Sequence, residues 1–553
     1  MSATLDTVRR RLAEVGDVNL ARFAGTLFER ADDPFLAAHD AAALDGMARQ
    51  GLSFLDGLGR SELRVRVFDP GEADGWRSPY TVVMLALADR PFIVDSVQTE
   101  LRRRGKALFH QLHPILSVTR DADGRITAIG EPDGRLEAFE IFFLEREEDP
   151  AEHRALEEAL TRVLHDVILA TDDYREMLRR SVEVEEYLRQ LAADGVTGPL
   201  AVPPEEVAEY AAFMEWLDDD NFVFLGYRAY ELVEVGDVPS LQVHAGSGLG
   251  LLRKLENSAY REPVPLEQLP DDLRERVTGG RLFIVTKANA ESTVHRARRM
   301  DYVGVKQLSP SGQVVGERRF IGLFTTKALS APVEEIPILR HKLRQVLELH
   351  QAIPGSHDHK AIVAAFNGMP REELFWSDAS QIHADIRTIL RLEREQAVRL
   401  TLRTDPLKRG LAVMVIMPKG HFSDAVRQKV QEHLRRRLDA RRVDSRLAIG
   451  EDEGHARFHF FFATDVQATP ELASELEREV QSLARSWHEE LRALLVERYG
   501  EAEGAALAAR YLGAFDDRFR ADVTPARALV DVGHLERLRA TSHVIDLIGP
   551  EPG

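Results

Sequence analysis

Four residues within ten positions could together hold an anion: Lys287, Asn289, His295 and Arg296. They lie in the polar run Thr286-Lys287-Ala288-Asn289-Ala290-Glu291-Ser292-Thr293-Val294-His295-Arg296, between two runs that read as strands. Three of the four can donate to a carboxylate or phosphate at neutral pH, and arginine can do so with both arms of its fork. Loops on a rigid sheet are where binding residues concentrate. Glu291 and Asp301 could instead neutralise the same cations internally, which would make the segment a braced surface connection. A second place is Asp89-Arg90-Pro91-Phe92-Ile93-Val94-Asp95-Ser96, at a strand-to-helix turn. Helix N-termini carry unpaired N–H groups and a positive dipole end, which suit a carboxylate ligand; plain capping is the competing use.

Other motifs point away from chemistry. His350, His357 and His359 flank Asp358, but Gly355 and Ser356 mark a turn, so the group reads as a helix-capping loop and not a metal site. Gly246-Ser247-Gly248-Leu249-Gly250 lacks the third glycine of a dinucleotide fingerprint, since Leu251 stands there and no long helix follows. It reads as a tight turn. No phosphate loop, Ser/His/Asp order or H-E-x-x-H motif is present. The expectation is a chain with no catalytic, cofactor-binding or metal-ligating residues of its own.

Bulk properties narrow the class. The 553 residues hold no cysteine, which excludes disulfides, thiolate nucleophiles and Cys-ligated metals. The net charge of −19 argues against duplex nucleic acid, where affinity comes from neutralised phosphates. The one basic run, Arg435, Arg436, Arg437, Arg441, Arg442 and Arg446, falls at a predicted helix end, where cations are favoured. The N-terminus MSATLDTVRRRLAEVG has no apolar signal core, and no stretch reaches the ~20 apolar residues of a membrane span. The expectation is a cytoplasmic protein with neither membrane nor nucleic-acid partners.

The elements that must position these residues follow from hydrophobic period. Residues 1–60 read as a helical segment. In 61–170 the order is two strands, a helix from Asp89-Pro91 to Gly105, strands near 107–119, 125–129 and 137–144, and a helix over 150–170. This reads as an α+β sandwich with helices on one face of a mainly antiparallel sheet. A helical connector spans 171–203, a β-rich domain 204–330 and a helical segment 331–395. Residues 396–499 repeat the first outline and close on one long helix, 470–499, striped by Leu472, Leu476, Val480, Leu483, Trp487, Leu491 and Leu494. A helical tail covers 500–553.

These residues resemble a known family. Asp89-Arg90-Pro91-Phe92-Ile93-Val94-Asp95-Ser96-Val97, His113-Pro114, Gly248-Leu249-Gly250-Leu251-Leu252-Arg253 and above all 286–326 are similar to the large bacterial NAD-dependent glutamate dehydrogenases. So are IPILRHKL (336–343), PGSHDHKA (354–361), PREELF (370–375) and, weakly, 515–538. The resemblance implies two ACT-like α+β modules flanking a PAS-like β-rich domain, joined by helical segments. It implies a regulatory and oligomerisation region, without the catalytic domain and inactive alone. The family reaction would be oxidation of L-glutamate by NAD to 2-oxoglutarate and ammonium, so NAD is expected for the full-length enzyme and no cofactor in this chain. Partners would be a second copy or the catalytic region, and an amino-acid or anionic effector. Amino-acid-binding ACT modules commonly carry a glycine where Phe92 stands, so Phe92 is expected to fill the ligand's space. The alternative is a free-standing small-molecule sensor.

Overall fold

Continuous apolar runs become strands buried on both faces. In TVVMLALA, Val82, Met84 and Ala86 face one way and Val83, Leu85 and Leu87 the other, and all are buried. The computed structural model describes residues 16–254, 258, 260–392, 397–405, 408–449, 455–539, 541 and 543–545. The chain forms two compact units, Met1–Ala331 and Pro332–Gly553.

The first sheet of the first unit contains β1 (Arg64–Phe68), β2 (Thr81–Ala88), β3 (Leu108–Leu112), β4 (Ile115–Arg120), β5 (Ile126–Ile129) and β6 (Arg135–Leu144). The order is β1-β2-β6-β4-β5, with β3 also pairing to β6, and every pair is antiparallel. The single strand expected near 107–119 is two, broken at His113-Pro114. Proline offers no N–H to a ladder. Pairing of β3 with β6 stops at Leu112↔Ile141, and pairing of β4 begins at Ile115↔Ala138.

Helices cover both faces of this sheet, not one. Helices Ile93–Arg103 and Pro150–Asp172 lie on the face of Val83, Leu85 and Phe142. Helices Val18–Leu27, Asp33–Ala38 and Ala41–Leu55 bury Val82, Met84, Phe139 and Phe143 on the other. The two-sided run left no polar face for solvent, so the preceding helices had to supply a second cover.

A second sheet holds β7 (Phe222–Val235), β8 (Val238–Val243), β9 (Leu249–Gly250), β10 (Val264–Pro265), β11 (Phe283–Glu291), β12 (Arg299–Leu308) and β13 (Val314–Phe324). Its order is β10-β8-β7-β13-β12-β11, with β9 on β7. Ile284, Tyr302 and Ile321 share a core with Leu156, Leu160 and Leu164 of helix Pro150–Asp172. The other face carries Phe283, on which Tyr210 of helix Pro204–Trp216 stacks and which Phe213 of the same helix meets edge-on.

In the second unit, β14 (Arg399–Thr404), β15 (Leu411–Pro418), β16 (Arg442–Ile449) and β17 (His455–Ala463) form the antiparallel order β14-β15-β17-β16. This matches β1-β2-β6-β4. Helices Asp424–Arg437 and Pro470–Leu483 cover one face. On the other, β14 and β17 present Arg403, Arg457 and His459, all buried. Arg403 lies 3.0 Å from Glu373 and 2.8 Å from Asp385, carboxylates of helices Arg371–Trp376 and Ala379–Leu392.

The long helix expected over 470–499 is two, Pro470–Leu483 and Trp487–Tyr499. Ser486 and Glu489 close a reciprocal capping box between them. The stripe divides accordingly. Leu476 and Val480 belong to the β14–β17 core, and Leu491 and Leu495 to a separate core with helices Glu501–Tyr511 and Pro525–Leu538. Each part of the stripe is thus covered within the unit. The basic run is also paired internally: Arg435 and Arg436 with Glu432, Arg437 with Glu475 and Glu479, and Arg441 with Asp465.

Arg403→Met should leave Glu373 and Asp385 buried without their cation. Urea unfolding followed by tryptophan fluorescence should show about 3–5 kcal/mol lost from the second unit. A loss below about 1 kcal/mol would show that the helices dock on apolar contacts alone.

Candidate functional site

The turn after β2 departs from ordinary helix entry. Phe92 stands at the N-cap of helix Ile93–Arg103 with φ of 73°, in the left-handed region. That conformation costs a non-glycine residue roughly 1–2 kcal/mol. A phenylalanine side chain cannot cap, and no side chain does, so the N–H groups of Ile93, Val94 and Asp95 have no intrahelical acceptor. The matching helix of the second unit, Asp424–Arg437, is capped in the usual way by Ser423, which accepts from Val426.

The segment 292–298 of the central sheet holds this turn in place. The Ser96 hydroxyl accepts from the His295 N–H at 2.9 Å, and the Thr99 hydroxyl donates to the His295 carbonyl at 3.3 Å. The His295 ring lies 2.8 Å from the Asp95 carboxylate and 5.0 Å, centre to centre, from the Phe92 ring. His295 is itself left-handed, at φ of 67°. Two strained non-glycine residues, their rings tilted at 45°, therefore meet where the two sheets' elements join. Such strain persists only when the surroundings over-determine it. Thr293 adds a bond to Asp166, and Asp173 accepts from the Gly250 N–H and pairs with Arg253. The glycine run is thereby a tight turn fastened to the end of helix Pro150–Asp172. A Cβ at Gly250 would sit 2.2 Å from the Leu225 carbonyl oxygen, which explains the glycine at φ of 57°.

Behind the turn lies a cleft of about 220 Å³. Asp89, Phe92, Val94, His113, Pro114 and Glu140 are among its walls. The gap in pairing at His113-Pro114 creates it, because Glu140 of β6 faces that gap. Glu140 is 2% exposed, and its buried Oε2 has no hydrogen-bond partner. Burial, helped by the nearby Asp89 charge, pushes its carboxyl up to about 8. Phe92 was expected to fill the ligand's space. It lines the cleft, leans on His295 and leaves the volume open.

The four residues singled out from the sequence are placed as follows. Lys287 pairs with Asp301 at 2.6 Å, and Asp301 also accepts from the Phe324 N–H. Arg296 donates to the Phe324 carbonyl at 3.1 Å, so Lys287 and Arg296 meet across the end of β13. His295 turns instead to Asp95. The side chain of Asn289 lies outside the described residues. Among the histidines, His357 and His359 open helix His357–Asn367 with Ser356 as its cap, and His350 lies 3.2 Å from His383.

Comparison with known proteins agrees with this layout. Models of four glutamate dehydrogenase domains match: ACT1 over residues 23–160, helical motif 1 over 336–395, ACT2 over 399–488 and helical motif 2 over 494–538. These are domains of the glutamate dehydrogenase family, and the chain is similar to that family in each of the four. It is 31% identical over 500 residues to the NAD-specific glutamate dehydrogenase of Pseudomonas aeruginosa, covering 89% of this chain and 30% of that protein. It is 31% identical over 483 residues to the Halomonas elongata protein of that name, covering 86% and 29%. For the Mycobacterium tuberculosis protein the identity is 27% over 465 residues, covering 81% and 27%. The chain thus spans less than a third of the length of these relatives. The ACT1 match takes in helices Asp33–Ala38 and Ala41–Leu55, so the second cover of the first sheet is part of the family's module.

Glu140 gives the site a pH signature. Below about 4.5 it is protonated in folded and unfolded chains alike. Between there and about 8 only the unfolded chain releases the proton, so stability falls as pH rises through that window. Glu140→Gln should remove this slope, gaining on the parent by about 2–3 kcal/mol between pH 5.5 and 7.5 in urea unfolding. Parallel profiles would show that Glu140 is ionised and satisfied.

Proposed function

We propose that this chain is a regulatory portion of an NAD-dependent glutamate dehydrogenase and that it senses an amino acid at the Phe92–Glu140 cleft. The observation that carries this reading is the paired vacancy. Unpaired N–H donors at a helix N-terminus face a cleft that also holds a buried carboxyl without a partner. An α-amino acid supplies both missing partners at once: its carboxylate suits the helix end and its ammonium suits Glu140. The family's reaction, oxidation of L-glutamate with NAD, belongs in this proposal to the whole enzyme, and this chain supplies control of it. The PAS-like reading of the central β-rich domain and assembly through these modules are part of the same proposal.

Control would travel through the turn. A ligand carboxylate on Val94 and Asp95 N–H groups competes for the charge environment that His295 shares with Asp95. Occupancy therefore acts on segment 292–298 and through it on the central sheet.

Calorimetric titration of the chain with the proteinogenic amino acids tests this. At least one should bind saturably, and its deaminated and decarboxylated analogues should bind at least about 10-fold more weakly, since each leaves one vacancy open. Glu140→Gln should weaken the amino acid about 10-fold or more, whereas Phe92→Gly, which suits the left-handed turn, should not. Absence of heat for every amino acid, or binding indifferent to Glu140→Gln but lost in Arg296→Ala, would move the effector away from this cleft.

A further inference from the structure

A second polar cluster lies on the central sheet, on the face that also carries Ile284 and Ile321, and apart from Tyr302 none of the groups discussed so far belongs to it. Lys306 of β12 is 2% exposed and sits 2.7 Å from Glu317 of β13. Tyr302 donates to the same carboxylate, and Arg319 reaches it at 3.2 Å. Gly304 allows this: a Cβ there would sit 2.8 Å from the Tyr302 ring, which lies along the strand toward Glu317. Burial alone would raise the Glu317 carboxyl, but Lys306 and Arg319 more than offset it and hold it well below the usual carboxylate range. Glu317 is thus saturated.

The next strand adds an unbalanced charge. Arg228 of β7 is the direct cross-strand partner of Arg319 and is 3% exposed. Like charges directly opposite one another destabilise a sheet. Arg228 donates through Nε and Nη2 to the carbonyls of Leu252 and Lys254, which satisfy hydrogen bonds without supplying a negative charge. Among the described residues no carboxylate pairs with Arg228, and Nη1 of Arg228 and Nη1 of Arg319 make no hydrogen bond. Three cations therefore face one carboxylate that is already fully used. The Arg319 guanidinium carbon lies over the Tyr230 ring, 4.1 Å from its centre, a cation–π contact. The Arg319 side chain is a quarter exposed, which leaves a way in.

We propose that Arg228 and Arg319 form a binding site for a small organic carboxylate, held between the two guanidiniums across β7 and β13. A planar carboxylate matches the guanidiniums of two arginines on adjacent strands and cancels the excess charge. The site is separate from the Phe92–Glu140 cleft in residues and in ligand chemistry, because it needs no ammonium group.

The test is calorimetric titration of the chain with acetate, succinate and inorganic phosphate at fixed ionic strength set by chloride. Acetate or succinate should bind saturably. Arg319→Gln and Arg228→Gln should each weaken that binding at least about 10-fold. Arg319→Lys, which keeps the charge and loses the planar fork, should weaken it while circular dichroism shows the parent fold. Should both glutamine variants fail to fold, Arg319→Lys alone decides. No saturable carboxylate binding, binding unchanged in the folded variants, or preference for phosphate over both carboxylates would each overturn the assignment.

Discussion

The helix pair Ile93–Arg103 and Pro150–Asp172 must be buried on two sides, and the first unit is organised by that requirement. One side carries Val97, Leu101, Leu160 and Leu164 in the same core as Val83, Leu85 and Phe142 of the first sheet. That core continues into Ile284, Tyr302 and Ile321 of the second sheet. A helix layer shared by two sheets cannot shift without disturbing both, because close-packed interiors transmit displacement and do not absorb it. The first module and the central sheet are coupled by packing before any polar contact is considered. The bonds from Ser96, Thr99 and Asp95 to His295 then set the register of that packing at one point.

The two modules with matching strand order solve the same covering problem with different chemistry. Each has its second sheet face covered by helices that precede it in the chain. In the first that interface is apolar, built on Phe23, Phe139 and Phe143. In the second it contains Arg403, Glu373, Asp385 and His459, an ionic arrangement that loses heavily if one member is removed. Their helix entries differ in the opposite sense. Ser423 closes the second, and Phe92 leaves the first without a cap. One copy of the fold thus has a capped helix entry, and the other retains uncapped donors beside a buried carboxyl oxygen without a hydrogen-bond partner. The effector site proposed above lies in the module whose helix entry is uncapped.

Much of the fold was legible because periodicity reports burial directly. TVVMLALA and EAFEIFFL are strands, and Asp149-Pro150 opens a helix by ordinary capping. The break at Ser486 was also legible: S-x-x-E is the sequence of a capping box, but the unbroken apolar spacing from Leu472 to Leu494 concealed it. The second cover of each sheet was not, since periodicity states that a face is buried and not by what. Glu140 carried a readable signal. It falls in the row of Ala138, Phe142 and Leu144, a charge at an inward position of a buried strand. The pairing of His295 with Asp95 carried none, because the two lie 200 positions apart in sequence. Its neighbours Lys287 and Arg296 were conspicuous by charge, yet charge alone did not reveal that Asp301 and the Phe324 carbonyl engage them.

We propose that ligand occupancy at the first strand-to-helix turn is felt by the central sheet through His295. Hydrogen–deuterium exchange of the chain, with and without a saturating amino acid, tests it most directly, because exchange reports local opening segment by segment. Residues 92–98 and 292–298 should gain protection together, and Ser96→Ala, which removes the acceptor for the His295 N–H, should confine the gain to 92–98. Protection of 92–98 that leaves 292–298 unchanged in the parent chain would contradict it.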